Sequence, residues 1–157
     1  MGVEIERKFL VVGDGWRDAV SSSTRIVQGY LTEGGAVTVR VRVRGEQGYL
    51  TIKGKSEGIS RSEYEYRIPA TEADAMLAEL AQGPVVEKTR HLVEVDGHTW
   101  EVDVFAGANA PLVMAEIELA ADDEEFTLPP WAGQEVSDDP RYYNVNLARS
   151  PYSQWSG

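Results

Sequence analysis

Residues 37–44 read VTVRVRVR, and in this stretch a valine alternates with a threonine or an arginine at every step. Side chains two positions apart on a β-strand point to the same face, roughly 6.5–7 Å from each other. The stretch therefore predicts a strand with one valine face and one face that carries Arg40, Arg42 and Arg44. Because like charges side by side repel each other, such a row is unusual on a strand face that only meets water.

The same alternation, broken by Gly, Asp or Pro, continues along the chain in both directions. It predicts eight strands, near residues 3–12, 24–32, 36–44, 48–54, 62–69, 85–96, 98–106 and 112–120. Glycine-containing turns at 33–35, 45–47 and 96–97 predict three hairpins. Residues 54–60 are expected to form a longer, mobile loop.

One helix is predicted between the fifth and sixth strands, over residues 72–82. Thr71 is the candidate N-cap, and Asp74 three positions later completes a variant of the capping box. The apolar stripe of this helix consists of Met76, Leu77 and Leu80. The Gly-Pro pair at 83–84 is expected to end the helix.

Shorter helices are expected within residues 13–23 and 122–135, and the aromatic tail at 141–147 is expected to form another. No repeat, low-complexity segment or domain boundary interrupts the pattern, so residues 1–157 are predicted to be a single domain. Eight strands with a few flanking helices predict an α+β, mainly β fold, either an antiparallel barrel or a sandwich.

The composition excludes several classes of protein. A net charge of −11 argues against a general nucleic-acid binder, although basic groups concentrated in one place still allow a polyanionic substrate. No apolar run approaches the roughly 20 residues of a membrane helix, and the first residues are not typical of a signal peptide, so a cytoplasmic protein without a membrane partner is expected. With no cysteine and two histidines, the chain is expected to bind any metal through oxygen, which indicates magnesium, manganese or calcium.

The charged side chains on the polar faces are sorted by sign. Acidic pairs occur on four predicted strands, as Glu4 and Glu6, Glu63 and Glu65, Glu101 and Asp103, and Glu116 and Glu118. The basic residues on the same faces are Lys8, Arg40, Arg42, Arg44, Lys53, Lys88 and Arg90. Acidic pairs suit a hard cation, and basic pairs suit phosphate oxygens. A solvated sheet face explains the alternation but not the sorting, which favours a barrel with its polar face turned inward.

If the charges fill the interior, the apolar rows of opposite parity face outward and need cover. Val39 and Val41 are in such a row, as are Trp100 and Ile117. The predicted helix at 72–82 covers this surface only in part, so a homodimer is a possible way of covering the rest.

Residues 4–10, EIERKFL, resemble the N-terminal E-x-E-x-K signature of the CYTH superfamily, also called triphosphate tunnel metalloenzymes. The resemblance continues in order and spacing at 29–31, 39–42, 51–54, 64–66, 87–90, 100–105 and 115–119. It implies an eight-stranded antiparallel tunnel that holds the phosphates of a triphosphate, with Mg²⁺ or Mn²⁺. The 141–144 run resembles the segment that closes one tunnel end in short members, although an ordinary docked tail is the alternative.

The resemblance also assigns roles by position. It makes Glu4, Glu6 and Glu118 metal ligands, with Glu116 as a further ligand. It implies that the phosphate chain is bound by Lys8, Arg40, Arg42, Lys53, Lys88 and Arg90. It makes Glu63, Glu65 and Asp103 further ligands or holders of metal-bound water. Separately, the crowding of Lys88 among other cations is expected to lower its pKa, which makes Lys88 a candidate proton acceptor.

Short members that begin in this way resemble inorganic triphosphatases, which makes hydrolysis of inorganic triphosphate the first expectation. A class IV-type adenylate cyclase or a thiamine or nucleoside triphosphatase on the same fold is the alternative. A sensor that binds polyphosphate or nucleotide without turnover is another.

Overall fold

A computed structural model of the chain describes residues 2–32, 35–55 and 57–155. Its strands are β1 (Gly2–Val11), β2 (Val20–Tyr30), β3 (Thr38–Arg44), β4 (Gln47–Lys53), β5 (Ser60–Ile68), β6 (Val86–Val95), β7 (His98–Phe105), β8 (Val113–Glu118) and β9 (Ala132–Glu135). Its α-helices are α1 (Ala70–Leu80) and α2 (Asn144–Arg149), and short 3-10 helices lie at Gly15–Ala19, Gly107–Asn109, Pro140–Tyr142 and Tyr152–Gln154.

The first eight strands form a closed antiparallel barrel. Their order is β5-β4-β3-β2-β6-β7-β8-β1, and the ring closes because β1 also pairs with β5, with Val3 opposite Ser62. Along its second half β1 leaves β5 and pairs with β9, which adds a ninth strand outside the ring. The eight predicted strands and the barrel are therefore confirmed.

The expected short helix within residues 13–23 is present, whereas the one expected within 122–135 is not. Residues 122–135 contain no helix, and β9 occupies their last four residues instead. The prolines at 129 and 130 lack the N–H groups that a helix needs, and the residues after them pair with the edge of β1. Within residues 13–23 only Gly15–Ala19 is helical, because β2 begins at Val20, four residues earlier than predicted.

The predicted helix is present but begins earlier than expected. Pro69 is the N-cap of α1, so the assignment of Thr71 to that position was wrong. The helix packs through Ala73, which is fully buried against Gly48 of β4, where a Cβ atom would come within 2.9 Å of the Ala73 Cβ. Leu80 is 52% exposed, so the buried stripe ends before it.

Of the predicted hairpin turns, two are described. The β6–β7 turn has positive φ at both Asp96 (46°) and Gly97 (83°), as a type I′ hairpin requires, and Gly45 (61°) takes the same region between β3 and β4. The β2–β3 turn at 33–35 lies mostly outside the described residues. So does Ser56 in the 54–60 connection, in which Glu57 and Ser60 form a β-bridge.

Most of the apolar core lies outside the barrel wall, as the inward charges require. Phe9, Trp100 and Ile117 pack there beneath Trp16 and Trp131, all at most 8% exposed. A second cluster closes one end of the barrel, where Phe105, Met114, Val136, Leu147 and Ala148 are buried beside α2. The interior between the ends is polar.

The outer faces of β1 and β5, and the residue before β3, are less covered. Val3, Val37, Tyr64 and Tyr66 are 46–61% exposed. The longest helix in the described residues, α1, has 11 residues, which is too short for a membrane span.

Candidate active site

A cavity of about 160 Å³ lies inside the barrel, which is room for several water molecules or a small polyanion. Twelve of the thirteen residues predicted for the site line it: Glu4, Glu6, Lys8, Arg40, Arg42, Lys53, Glu63, Glu65, Lys88, Arg90, Glu116 and Glu118. Closure of the ring turns their strand faces toward one another, so side chains far apart in sequence meet across the cavity. Arg44 also lines the cavity and is itself exposed.

Asp103 is the exception, because it lies behind the wall of the cavity. It is 1% exposed, accepts two hydrogen bonds from Arg90 at 2.8 and 2.9 Å, and lies 2.8 Å from Lys88 Nζ. Burial alone would raise the pKa of Asp103, but Arg90 and Lys88 lower it below its ordinary value. In this arrangement Asp103 anchors two basic side chains of the cavity wall.

On the basic wall of the cavity, some of the positive charge has no carboxylate partner. Arg42 has no carboxylate partner within the described residues, and its Nε donates to Gln28 Oε1 at 2.8 Å. Burial, and then Arg40 and Arg90, lower the pKa of Arg42 to about 9. The buried Arg40 Nε has no hydrogen-bond partner among the described residues. This wall therefore favours an anion.

Lys88 is the most buried cation of the site, at 1% exposure. Its Nζ donates to Asn144 Oδ1 at 2.9 Å and lies beside Asp103. Burial lowers the pKa of Lys88 to about 7; Asp103 opposes this, while Arg90 and Arg42 add to it. This lowering brings the neutral form of Lys88, which a proton acceptor requires, closer to physiological pH.

On the acidic wall, by contrast, some of the negative charge has no close cationic partner. Lys53 Nζ donates to Glu4 at 3.0 and 3.1 Å, and Lys8 Nζ donates to Glu116 at 3.0 Å. Among the described residues, the one ion-pair partner of Glu6 is Lys8, at 3.7 Å. Burial, together with the negative charge of Glu116, raises the pKa of Glu6 to about 8. Burial, and then Glu4, also raise the pKa of Glu118.

This donor set fits a hard divalent cation. Antiparallel pairing puts Glu6 opposite Glu118 and Lys8 opposite Glu116, so these three glutamates share one wall with Glu4. Their mutual repulsion is what a bound cation relieves, and oxygen donors are those that magnesium and manganese prefer. Among the described residues no three of them converge on one point, since Glu4 and Glu116 contact lysines instead.

Some residues of the cavity carried no predicted role. Arg61 lies within 3.4 Å of Glu4 and has the same parity as Glu63, so extending the predicted fifth strand by one residue finds it. Tyr143 and Asn144 come from the tail, which does lie at one end of the barrel. Gln28 is fully buried behind Arg42, and no pattern in the sequence marked it.

The chain is similar to known proteins along almost all of its length. The model of the CYTH domain matches residues 2–145. An inorganic triphosphatase of Acetivibrio thermocellus is 48% identical over 155 residues, which are 99% of this chain and 99% of that protein. An inorganic triphosphatase of Nitrosomonas europaea is 41% identical over 151 residues, 94% of this chain and 97% of that protein.

A solved structure shares the architecture. The crystal structure of the inorganic triphosphatase NE1496 has a TM-score of 0.66 and 39% identity, and the match covers 94% of this chain and 95% of that one. The closed barrel, its charged interior and these similarities agree with one another. The chain belongs to the CYTH domain family.

Proposed function

We propose that this protein hydrolyses inorganic triphosphate to diphosphate and phosphate. The observation that carries the proposal is that one cavity has two walls of opposite charge. One wall carries cations with too few carboxylate partners, and the other carries carboxylates that repel one another. A metal–triphosphate complex presents both complementary charges. Two relatives that match almost the full chain are inorganic triphosphatases, which supports the same substrate here.

The basic groups bind the phosphate chain. Triphosphate carries roughly four to five negative charges near neutral pH, and a cage of fixed cations stabilises charge as it spreads onto the leaving oxygens. This cage comprises Lys8, Arg40, Arg42, Lys53, Lys88 and Arg90. The unpartnered Arg40 Nε is an available donor for one phosphate oxygen.

Glu4, Glu6 and Glu118, with Glu116 as a further ligand, are the proposed holders of Mg²⁺ or Mn²⁺. Such a cation, when bound, neutralises phosphate oxygens and polarises the phosphorus that is attacked. Lys8 and Lys53 contact Glu116 and Glu4 most closely, whereas Glu6 has only a longer contact with Lys8 among the described residues, so the group has capacity for a cation.

In the hydrolytic step, a water oxygen forms a bond to the terminal phosphorus and the bond from that phosphorus to the bridging oxygen breaks, which releases diphosphate. Glu63 and Glu65 line the cavity and are the proposed holders of the water. Lys88 in its neutral form takes the proton that the water loses. Asp103 keeps Lys88 and Arg90 in place during this step.

The deciding experiment measures phosphate release from inorganic triphosphate, ATP and thiamine triphosphate, with and without Mg²⁺ or Mn²⁺. The test variant is Glu4→Gln/Glu6→Gln, and the matched control is Glu72→Gln on the exposed face of α1. Fast metal-dependent release from inorganic triphosphate, lost only in the double variant, supports the proposal. Preference for thiamine triphosphate, formation of cyclic nucleotide from ATP, or binding without turnover would each identify one of the alternatives.

Three further points belong to the same proposal. The protein acts in the cytoplasm, and residues 1–157 work as one CYTH unit. Two copies pair through the exposed outer face that carries Tyr64 and Tyr66.

Light scattering tests the pairing. A dimer mass that becomes a monomer mass in Tyr66→Glu supports it, and a monomer mass for the unchanged chain contradicts it.

A further inference from the structure

A buried amide connects two of the cations across the cavity wall. Gln28 is fully buried on β2. Its Oε1 accepts a hydrogen bond from Arg42 Nε at 2.8 Å, and its Nε2 donates to Tyr30 Oη at 3.0 Å and to Asn144 Oδ1 at 3.4 Å. The Asn144 oxygen in turn accepts from Lys88 Nζ at 2.9 Å. Arg42 and Lys88 are thus joined through two neutral side chains.

The neutrality of these two side chains has a physical consequence. Charged Lys88 has three N–H donors; Asp103 and Asn144 take two, which leaves the third position of Nζ for the cavity that Lys88 lines. In neutral Lys88 that third position is taken by the lone pair that accepts a proton. Gln28 likewise takes only the Nε donor of Arg42 and leaves the two terminal nitrogens. An amide oxygen fixes a cation's direction without cancelling its charge, whereas a carboxylate at the same place would compete with phosphate.

The tail does not need Asn144 in order to dock. Leu147 and Ala148 of α2 are 0% and 2% exposed in the apolar cluster at the barrel end. Asn109 Nδ2 also donates to the Leu147 carbonyl at 3.4 Å. The position of Asn144 over Lys88 is therefore set by packing elsewhere in the tail, and its side chain is available for another role.

We infer that Asn144 is a positioning residue which, together with Gln28, orients Lys88 and Arg42 toward the phosphate chain, so that the C-terminal segment completes the site. This inference rests on the proposed function, because Lys88 and Arg42 are the residues that are proposed to act on triphosphate. Loss of this orientation is expected to slow mainly the chemical step, since misplacing a reacting group by about 1 Å costs on the order of 100-fold in rate.

The first test compares Asn144→Ala with Asn146→Ala. Asn146 lies on the same helix and donates to the Pro140 carbonyl at 2.8 Å, so its loss weakens the tail without touching Lys88. We expect Asn144→Ala to lower kcat for triphosphate about 10- to 100-fold with little change in KM, and Asn146→Ala to behave as the unchanged protein. Equal losses in both variants, or none in either, overturn the inference.

Two further variants separate orientation from simple tail packing. Asn144→Asp keeps the acceptor oxygen but adds a charge that repels triphosphate and favours protonated Lys88. At high pH, where Lys88 is neutral again, it is therefore expected to recover kcat relative to Asn144→Ala while raising KM. In a Lys88→Gln background, Asn144→Ala is expected to cause no further loss of kcat, because the group that it orients is absent. A full additional loss in that background contradicts the inference.

A spectroscopic measurement keeps the test independent of turnover. The chain has four lysines, so the carbon-13 signals of their ε-methylene groups are few, and the Lys88 signal is identified by its loss in Lys88→Gln. We expect this signal to shift in Asn144→Ala and not in Asn146→Ala. An unmoved signal overturns the inference. A protein that shows the shift but hydrolyses no triphosphate contradicts the proposed function instead.

Discussion

Lys53 Nζ donates hydrogen bonds to both carboxylate oxygens of Glu4, at 3.0 and 3.1 Å. Lys53, which is proposed to bind the phosphate chain, and Glu4, which is proposed to bind the metal, are therefore hydrogen-bonded to each other. Burial alone would raise the pKa of Glu4, but Lys53 and then Arg61 lower it. Binding of a metal and a triphosphate would separate the pair and give each member a new partner of opposite charge.

Glu4→Gln tests the metal side of this relationship. In the unchanged protein, Mn²⁺ is expected to raise Tm, because a ligand that binds only the folded state stabilises it. In Glu4→Gln the rise is expected to be largely lost, since a neutral amide is a weak ligand for a hard cation. Thermal denaturation with and without Mn²⁺ measures this, with Glu72→Gln as the control that keeps the full rise. A full Mn²⁺ effect in Glu4→Gln removes Glu4 from the metal site.

Glu6→Gln is expected to stabilise the protein at high pH when a chelator removes divalent metal. The pKa of Glu6 is raised from 4.5 to about 8, so its unfavourable contribution is absent below pH 4.5, grows between these values and is complete above pH 8. The variant should therefore match the unchanged protein near pH 4.5 and have a higher Tm at pH 8.5, by about 2–4 °C for each kcal/mol gained. A lower Tm at pH 8.5 shows that Glu6 is stabilising as a carboxylate.

Arg42→Gln is expected to weaken the use of triphosphate. A hydrogen bond between charged groups contributes about 1.5–3 kcal/mol, so kcat/KM should fall about 10- to 100-fold. Arg67→Gln is the matched control, because Arg67 is exposed, lies on β5 and does not line the cavity. Steady-state kinetics in Mg²⁺ measure both variants. Equal effects of the two substitutions mean that general charge, not the cavity wall, attracts the substrate.

Lys88 gives the expected pH dependence. Burial lowers its pKa to about 7, so the neutral form that accepts a proton increases as pH rises through this value. We expect kcat/KM, which reports the free enzyme, to rise between pH 6 and pH 8 and then level. Lys88→Gln should lose this rise together with most of the rate. A Lys88→Gln variant with a full turnover rate excludes Lys88 as the acceptor.

Much of the site followed from the period-two pattern alone. In an antiparallel strand the face of a side chain depends only on whether its number is odd or even, so Arg40, Arg42, Glu116 and Glu118 could be given a common interior before any pairing was known. The turn at Asp96 and Gly97 was equally local, because positive φ at both positions is a property of those residues.

Parity gives the face of a side chain but not its depth. Asp103 shares a face with Glu101, yet only Glu101 lines the cavity, because Arg90 and Lys88 enclose the Asp103 carboxylate. The strand β9 was missed for a related reason. It is four residues long, follows two prolines, and exists because β1 presents an unpaired edge there.

The sequence by itself determined which side chains face inward and therefore that acidic and basic groups share one interior, since both depend on neighbours one or two positions away. Only the tertiary structure decided how the ring closes and what closes its end. The pairing of β1 with β5 joins residues such as Val3 and Ser62, and the contact of Asn144 with Lys88 spans 56 positions. Such contacts depend on the packing of whole elements, and no local pattern encodes them.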